Sequence, residues 1–347
     1  MSKHISQLDK WSKITLSISL FLIVFSFFAP AIFTSNSVFD FTKTGGIGDT
    51  MSGIMNPFIA IAGVGVTFLA FYMQFVANQS MKDDFENQKK TFKINQFENQ
   101  FYEMLRLHKE NVNELYVCDG RKEIRGRRVF DSFLAEFESC YYIISNKSDR
   151  TKVDENKKNI KIAYTIFYYG IYDKSLDEIQ NLKDEQIQNL TRFSEAAKSK
   201  GVYNSEFLDG LDGFNIRTRL RYALFEGYYS QLNCYYRHLY QTVKFVVNTS
   251  LIEYEEKRKY LRILRAQISS TEQAMLFYNW YSGRGVQWES DLLGNKYLTD
   301  YRMIHNVHQG LLIESIKLEN VFNFKKYQRE KNRVSDSLFE YQDWEVA

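Results

Sequence analysis

Hydrophobic positions along this chain fall into three regimes. The first is continuous. Ile14–Phe33 (ITLSISLFLIVFSFFAPAIF) carries no charge. At about 1.5 Å of rise per residue, a helix of that length spans roughly 30 Å, the thickness of a hydrocarbon core. A second uncharged run extends from Thr50 to Met81 and predicts another span over about Ile54–Val76. Residues 1–80 therefore read as a transmembrane hairpin with spans at about 14–33 and 54–76. The first run is longer than the apolar region of a typical secretory leader, and no clear small-x-small cleavage site follows it.

The second regime is periodic. Phe85 and Phe92 stand one heptad apart, and Ile94, Phe97, Phe101, Met104/Leu105, His108, Val112 and Leu115 follow at three- and four-residue steps. That spacing lays one apolar face along a helix. No Gly or Pro occurs between Gly65 and Leu115. The second span and this amphipathic stalk, residues 81–115, thus read as a single helix from about Ile54 to about Leu115. A stalk that pairs with a copy of itself and one that docks on its own domain predict the same pattern.

The third regime, residues 116–347, strings shorter helical periods between polar breaks. Helices are predicted over Val129–Ile144, Ile160–Tyr172, Leu176–Ala197, Phe214–Val247 (bent near Gly227), Leu251–Ala266, Thr271–Tyr281, Tyr297–His308 and Leu311–Lys325. The run SSTE at Ser269 carries the capping-box signal, with Glu272 three residues on. Tyr116–Arg128 reads as a loop and Asn146–Lys161 as a charged excursion. The tail after Gln328 is charged, with Phe339, Tyr341 and Trp344 as residues able to dock. Proline occurs only at Pro30 and Pro57. Since proline breaks helices by removing a donor and clashing with the preceding turn, a proline-free run from Phe58 onward favours helix. The fold class expected is all-α: an N-terminal two-helix transmembrane hairpin, an amphipathic stalk and a helical cytosolic domain.

Charge orients the hairpin. Lys3, Lys10 and Lys13 precede the first span; Lys82, Lys89, Lys90 and Lys93 follow the second; the connection between them holds Asp40, Asp49 and Lys43. The positive-inside rule then places both termini in the cytosol. The net charge of +3 gives no bulk electrostatic case for nucleic-acid binding, although a local patch stays open. Cys118, Cys140 and Cys234 lie far apart, with no spacing that suggests a metal centre or a disulfide framework.

The second span also carries a stripe. Gly53, Asn56, Ala60, Gly63, Thr67, Ala70, Gln74 and Ala77 recur at three- and four-residue steps, and all are small or polar. In lipid such a face lets helices approach closely and hydrogen-bond across the contact. It suits either the packing of one span on the other or the self-association of several hairpins. No Lys, Arg, Asp or Glu lies inside either span, so no proton-relay signature is present.

Candidate binding residues lie beyond the membrane. Arg121, Lys122, Arg125, Arg127 and Arg128 crowd one short segment against Asp119 and Glu123, a composition that suits phosphate oxygens or anionic headgroups as well as a solvated loop. Gly-rich phosphate loops, GxSxG, HExxH and paired-carboxylate motifs are missing from the sequence, and no cofactor or metal is indicated.

Several segments together resemble the phage abortive infection proteins of the AbiC type: FENQFYEMLRLHKENV (Phe97–Val112), GRRVFDSFLAE (Gly126–Glu136), YYRHLYQTVKFV (Tyr235–Val246) and YLRILRAQISSTEQAMLFYNWYS (Tyr260–Ser282). The resemblance covers roughly Phe85 to Asn323, in order. It implies phage defence at the bacterial inner membrane and, for some members, association with retrons. It supplies no agreed active site. The polar residues in or near the matched segments are Arg106, His108, Glu110, Asn111, Arg237, His238, Arg262, Arg265, Gln267 and Glu272. They suit buried structural roles; Arg237, His238 and Arg265 are also candidates for a pocket that reads an infection signal. Arg302 and His308 resemble the Arg and His of HEPN-class ribonucleases in spacing, with Met303 departing from that pattern.

The leading expectation is a membrane-anchored abortive-infection effector without catalytic residues. Its helical domain senses or is controlled by an infection signal, and its hairpins, through Asn56, Ala60, Gly63, Thr67, Ala70 and Gln74, assemble and disrupt the membrane. The alternatives are a membrane-tethered ribonuclease using Arg302 and His308, and a non-toxic module that inhibits a phage component. The partners expected are the lipid bilayer, further copies of the chain, and a phage component or a reverse transcriptase with its DNA; direct nucleic-acid binding is left open.

Overall fold

The computed structural model describes residues 2–34, 46–119, 122–145, 150–173, 176–202, 216–322, 324 and 337–344. The chain divides into two compact units, Met1–Asn95 and Gln96–Ala347. It is all-α in class, and two long apolar helices stand near its N-terminus.

In the first unit, helix α1 runs Ser2–Thr34, and α2 begins at Ile47 and continues to Glu114, 68 residues in all. The helix takes in Pro57 and, beyond Gly65, meets neither Gly nor Pro before its end. Both helices are long and apolar enough to cross a membrane. They meet along a seam of heptad spacing. On α2 the shielded positions are Ile54, Phe58, Ala62, Gly65, Leu69, Tyr72 and Val76; on α1 they include Ser19, Leu22, Ser26, Ala29 and Phe33. Small residues at the crossing bring the backbones close: a Cβ added at Gly65 would lie 2.8 Å from Ser19 Oγ. Phe25 and Phe58 meet edge to face at 5.1 Å.

The second unit is built around α3 (Val129–Ile144), whose residues are buried on nearly every side, including Phe130, Phe133, Phe137, Cys140 and Tyr141. A helix buried on so many sides stands at the centre of the core, and its buried polar members Glu136 and Glu138 find partners there. Packed on it are α4 (Val153–Tyr169), α5 (Asp184–Lys200) and α8 (Ser270–Tyr281), with α6 (Tyr229–Asn248) and α7 (Tyr254–Arg265) outside them. The C-terminal part of α2 joins this core. Phe97 stacks on Phe245 at 5.1 Å, both Phe97 and Phe101 meet Tyr260 at 5.2 Å, and the Tyr260 hydroxyl donates to Glu98 at 2.6 Å. From Phe97 onward the apolar face of the predicted stalk is therefore covered by the chain's own helices, whereas Phe85 and Phe92 stay exposed.

Six expectations are corrected. The Tyr116–Arg128 segment holds a β-hairpin, Tyr116–Asp119 (β1) paired with Lys122–Arg125 (β2), followed by a 3-10 turn over Gly126–Arg128. The helix predicted near Ile160 starts earlier, at Val153, inside the supposed excursion. The described part of Phe214–Val247 is not helical before Tyr229, because its backbone bonds elsewhere: Phe225 N–H donates to Glu136, Ile171 N–H to the Phe225 carbonyl and Tyr228 N–H to the Tyr168 carbonyl. Residues Tyr297–His308 form turns rather than a helix. There the Leu298 and Thr299 amides both donate to Glu289 Oε2 at 3.1 Å, and Arg302 takes a left-handed φ of 59°. The run predicted as Leu311–Lys325 holds, among its described residues, only the one-turn helix Leu318–Val321 as α-helix of any length. Leu176–Ala197 is split into Asp177–Gln180 and Asp184–Lys200, where Gln186 Oε1 accepts from the Lys183 amide and restarts the helix.

Candidate functional site

The predicted binding residues do not form one site. Arg121 lies outside the described residues. Arg125 pairs with Glu123 at 2.7 Å on the exposed hairpin, above the Tyr116 ring, and Arg128 is exposed. Arg237 is exposed beside Asn233 on α6. Arg265 is half-buried near the end of α7 and donates to the Arg302 carbonyl at 3.2 Å; burial, followed by the neighbouring Arg262 and Arg258, lowers its pKa to about 10.

Arg127 is different, because it reaches a buried polar cluster. Its Nε lies 3.1 Å from Glu272, and another of its guanidinium nitrogens donates to the Gln267 carbonyl. Glu272 is itself the capping-box residue of α8: Ser269 Oγ accepts from the Glu272 amide, and Glu272 accepts from Ser269. Tyr235 completes the set by donating to Glu272 at 3.0 Å. Next to Tyr235 lies His108, 1% exposed, with its ring parallel to that of His238 at 6.2 Å. His238 Nε2 sits 2.9 Å from the Met104 carbonyl, whereas neither ring nitrogen of His108 meets a partner. Burial, then His238 and Arg127, lower the His108 pKa to about 4. This cluster joins the C-terminal part of α2 to α6 and α8.

Two further carboxylates fix the irregular segment before α6. Glu136, fully buried on α3, accepts from the Phe225 amide at 2.6 Å and the Tyr228 hydroxyl at 2.7 Å. Glu138 receives Arg217 at 3.0 Å. Burial raises both acids to about 7.

Arg302 and His308 have different surroundings. The Arg302 side chain is buried and spends its guanidinium on the backbone carbonyls of Ser337 and Thr299, whereas His308 is exposed beyond a turn.

A site that the sequence did not announce lies between α4 and the end of α8. It is an open cleft of about 800 Å³. Lys157, Lys158 and Lys161 line one side and Trp280, Tyr281 and Val286 the other, with Asp154 as the acidic residue among them. Lys161 pairs with Glu178 at 3.0 Å, and Arg284 reaches the same carboxylate at 3.4 Å. The sequence shows these lysines only as part of a charged, apolar-poor run. Their position opposite Trp280 depends on the crossing of two helices far apart in the chain.

On the hairpin, the stripe of small and polar residues is exposed throughout, from Gly53 to Ala77. Each of its members from Asn56 to Gln74 precedes a seam position by two residues: Asn56 with Phe58, Ala60 with Ala62, Gly63 with Gly65, Thr67 with Leu69, Ala70 with Tyr72, Gln74 with Val76. Two residues turn a helix by about 200°, so the stripe faces away from α1. Nothing lies within 4 Å of a Cβ built at Gly53 or Gly63.

These features define an all-α protein that couples an apolar two-helix hairpin to a helical unit with an aromatic core. Residues 227–311 match the model of a family described as "putative phage abortive infection protein". That stretch, which runs from the turn before α6 through α7 and α8 to Leu311, is similar to the AbiC-type family. The match supports an anti-phage role. No curated protein and no solved structure matches the chain.

Proposed function

We propose that this protein is a membrane-anchored abortive-infection effector. In this reading α1 and the first part of α2 span the inner membrane with both termini in the cytosol, and the helical unit answers an infection signal. Released hairpins then assemble through the stripe on α2 and make the membrane leak, which stops growth before phage are released.

The observation that carries the reading is the unused stripe. Packing of the two spans is already satisfied along the opposite face, where Gly65 and Ser19 touch. A second close-packing face is redundant in a lone hairpin and useful in an assembly of several. The bulky apolar side chains of both helices, such as Phe27, Phe68 and Phe71, are about two-thirds exposed at 70%, 69% and 67%, which fits lipid as their surroundings. The family match over residues 227–311 supplies the link to phage.

The test is membrane potential in infected cells. Depolarisation and dye entry should precede growth arrest in cells that carry the protein and should be absent without it. An intact potential throughout arrest overturns the reading.

A further inference from the structure

We propose that the cleft between α4 and the C-terminal turn of α8 binds a nucleoside phosphate. The inference concerns the helical unit alone, and it holds whether or not the hairpins form a leak.

Its aromatic wall is held in place from behind. Trp280 stacks on Phe322 at 5.4 Å with the rings 19° apart, and its indole N–H donates to the Glu289 carbonyl at 3.1 Å. Tyr281 stacks on Phe277 at 5.3 Å and 16°. Both rings are half-buried, so each still presents surface to the cleft. Rings fixed in this way lose little freedom when a flat ligand packs against them, and pre-organisation of that kind favours binding. The turn that follows adds no obstruction: Gly283 has a φ of +88°, and no atom lies within 4 Å of where its Cβ would be.

The opposite wall carries charge. Lys157, Lys158 and Lys161 occupy neighbouring positions of α4, and among the described residues only Lys161 pairs with a carboxylate. The Lys157 ammonium lies 5.6 Å from the centre of the Tyr281 ring, which brings a cation to the aromatic wall itself. Like charges at i and i+4 on a helix repel by a few tenths of a kcal/mol, and a polyanion would turn that repulsion into attraction. Three lysines against Asp154 leave an excess of two positive charges along the lining. The ligand that satisfies both walls has a flat ring at one end and at least two negative charges at the other. The volume of about 800 Å³ falls within the range of roughly 300–1,000 Å³ usual for small-molecule clefts. A nucleoside di- or triphosphate meets these demands. Inorganic polyphosphate lacks the ring, and a nucleoside lacks the charge.

The experiment is equilibrium binding to the purified full chain in detergent, with ATP and GTP as probes and adenosine and tripolyphosphate as controls. We expect saturable binding of at least one nucleotide, at least tenfold tighter than either control. The double variant Lys157→Glu/Lys158→Glu changes two exposed residues, so it should keep its melting temperature and lose binding at least tenfold. Lys157→Arg/Lys158→Arg should retain it. Failure of both nucleotides to bind at millimolar concentration overturns the proposal. So does unchanged affinity in the charge-reversed variant, or tripolyphosphate binding as tightly as the nucleotides. None of these outcomes depends on infection or membrane potential, so the two readings fail separately.

Discussion

At the scale of single residues, the polar groups in the helical core set the measurable behaviour. His108 is buried with both ring nitrogens lacking a partner, and an unmade hydrogen bond in the interior costs about 1–3 kcal/mol. His108→Leu keeps the apolar contacts with Tyr235 and removes that cost. Its melting temperature should rise by several degrees, at about 2–4 °C per kcal/mol for a unit of this size; a fall would show that the ring makes a bond that matters. Glu136 gives the pH dependence. Burial raises it from 4.5 to about 7. Below pH 4.5 the folded and unfolded chains both hold the proton. Between 4.5 and 7 only the folded chain keeps it, so its contribution to stability declines as pH rises through that window and is constant above it. Glu136→Gln cannot ionise. Between pH 5 and pH 7.5 the wild type should therefore lose more melting temperature than this variant, and parallel curves would contradict the assignment. Sequence reading reached His108 and Glu272 through helical spacing and the capping box. It missed Glu136 and Glu138, since a glutamate on a helix looks the same whether solvent or a returning loop covers it.

At the scale of elements, the legible parts were those whose cause is local. The length of α2 beyond Gly65 follows from a run without Gly or Pro, and the start of α8 from Ser269 and Glu272. Segments 216–228 and 297–308 have enough apolar residues to imitate helices, yet their amides bond to Glu136, Glu289 and the backbone of α4. Those partners are remote in sequence, so no periodicity reveals them. The lysine cleft was hidden for the same reason. Gly227 shows how tightly the returning segment is seated: its φ is +92°, and a Cβ there would fall 2.4 Å from the Tyr169 carbonyl carbon and 2.6 Å from the Gly170 nitrogen. These are backbone atoms and cannot swing aside. Gly227→Ala should lower the melting temperature by at least several degrees, since the backbone conformation alone costs about 1–3 kcal/mol for a residue with a side chain before the overlap is counted. A neutral result would mean that the segment before α6 re-seats without loss.

At the scale of the whole molecule, the two faces of α2 within the first unit allow folding of the hairpin to be separated from its action. One face meets α1; the other is exposed among the described residues of that unit. Ala60→Leu/Gly63→Leu adds bulk only on the free face, where a Cβ at Gly63 has no neighbour within 4 Å. Gly65→Leu adds bulk on the seam, where Ser19 Oγ already stands 2.8 Å from the Cβ position. If hairpins kill by assembling through the stripe, the double variant should accumulate in the membrane fraction at wild-type level and still fail to depolarise infected cells. Gly65→Leu should instead lower the amount of folded protein. Close-packed helix contacts in lipid depend on small residues because van der Waals contact, not water exclusion, holds them together, so two leucines on the stripe are enough to open the contact. Wild-type protection by Ala60→Leu/Gly63→Leu would remove the stripe from the mechanism. A membrane anchor whose helical unit acts on its own would then be the reading to pursue. Loss of the double variant from the membrane fraction would show that the free face is needed for a stable hairpin and would count equally against assembly as its sole purpose.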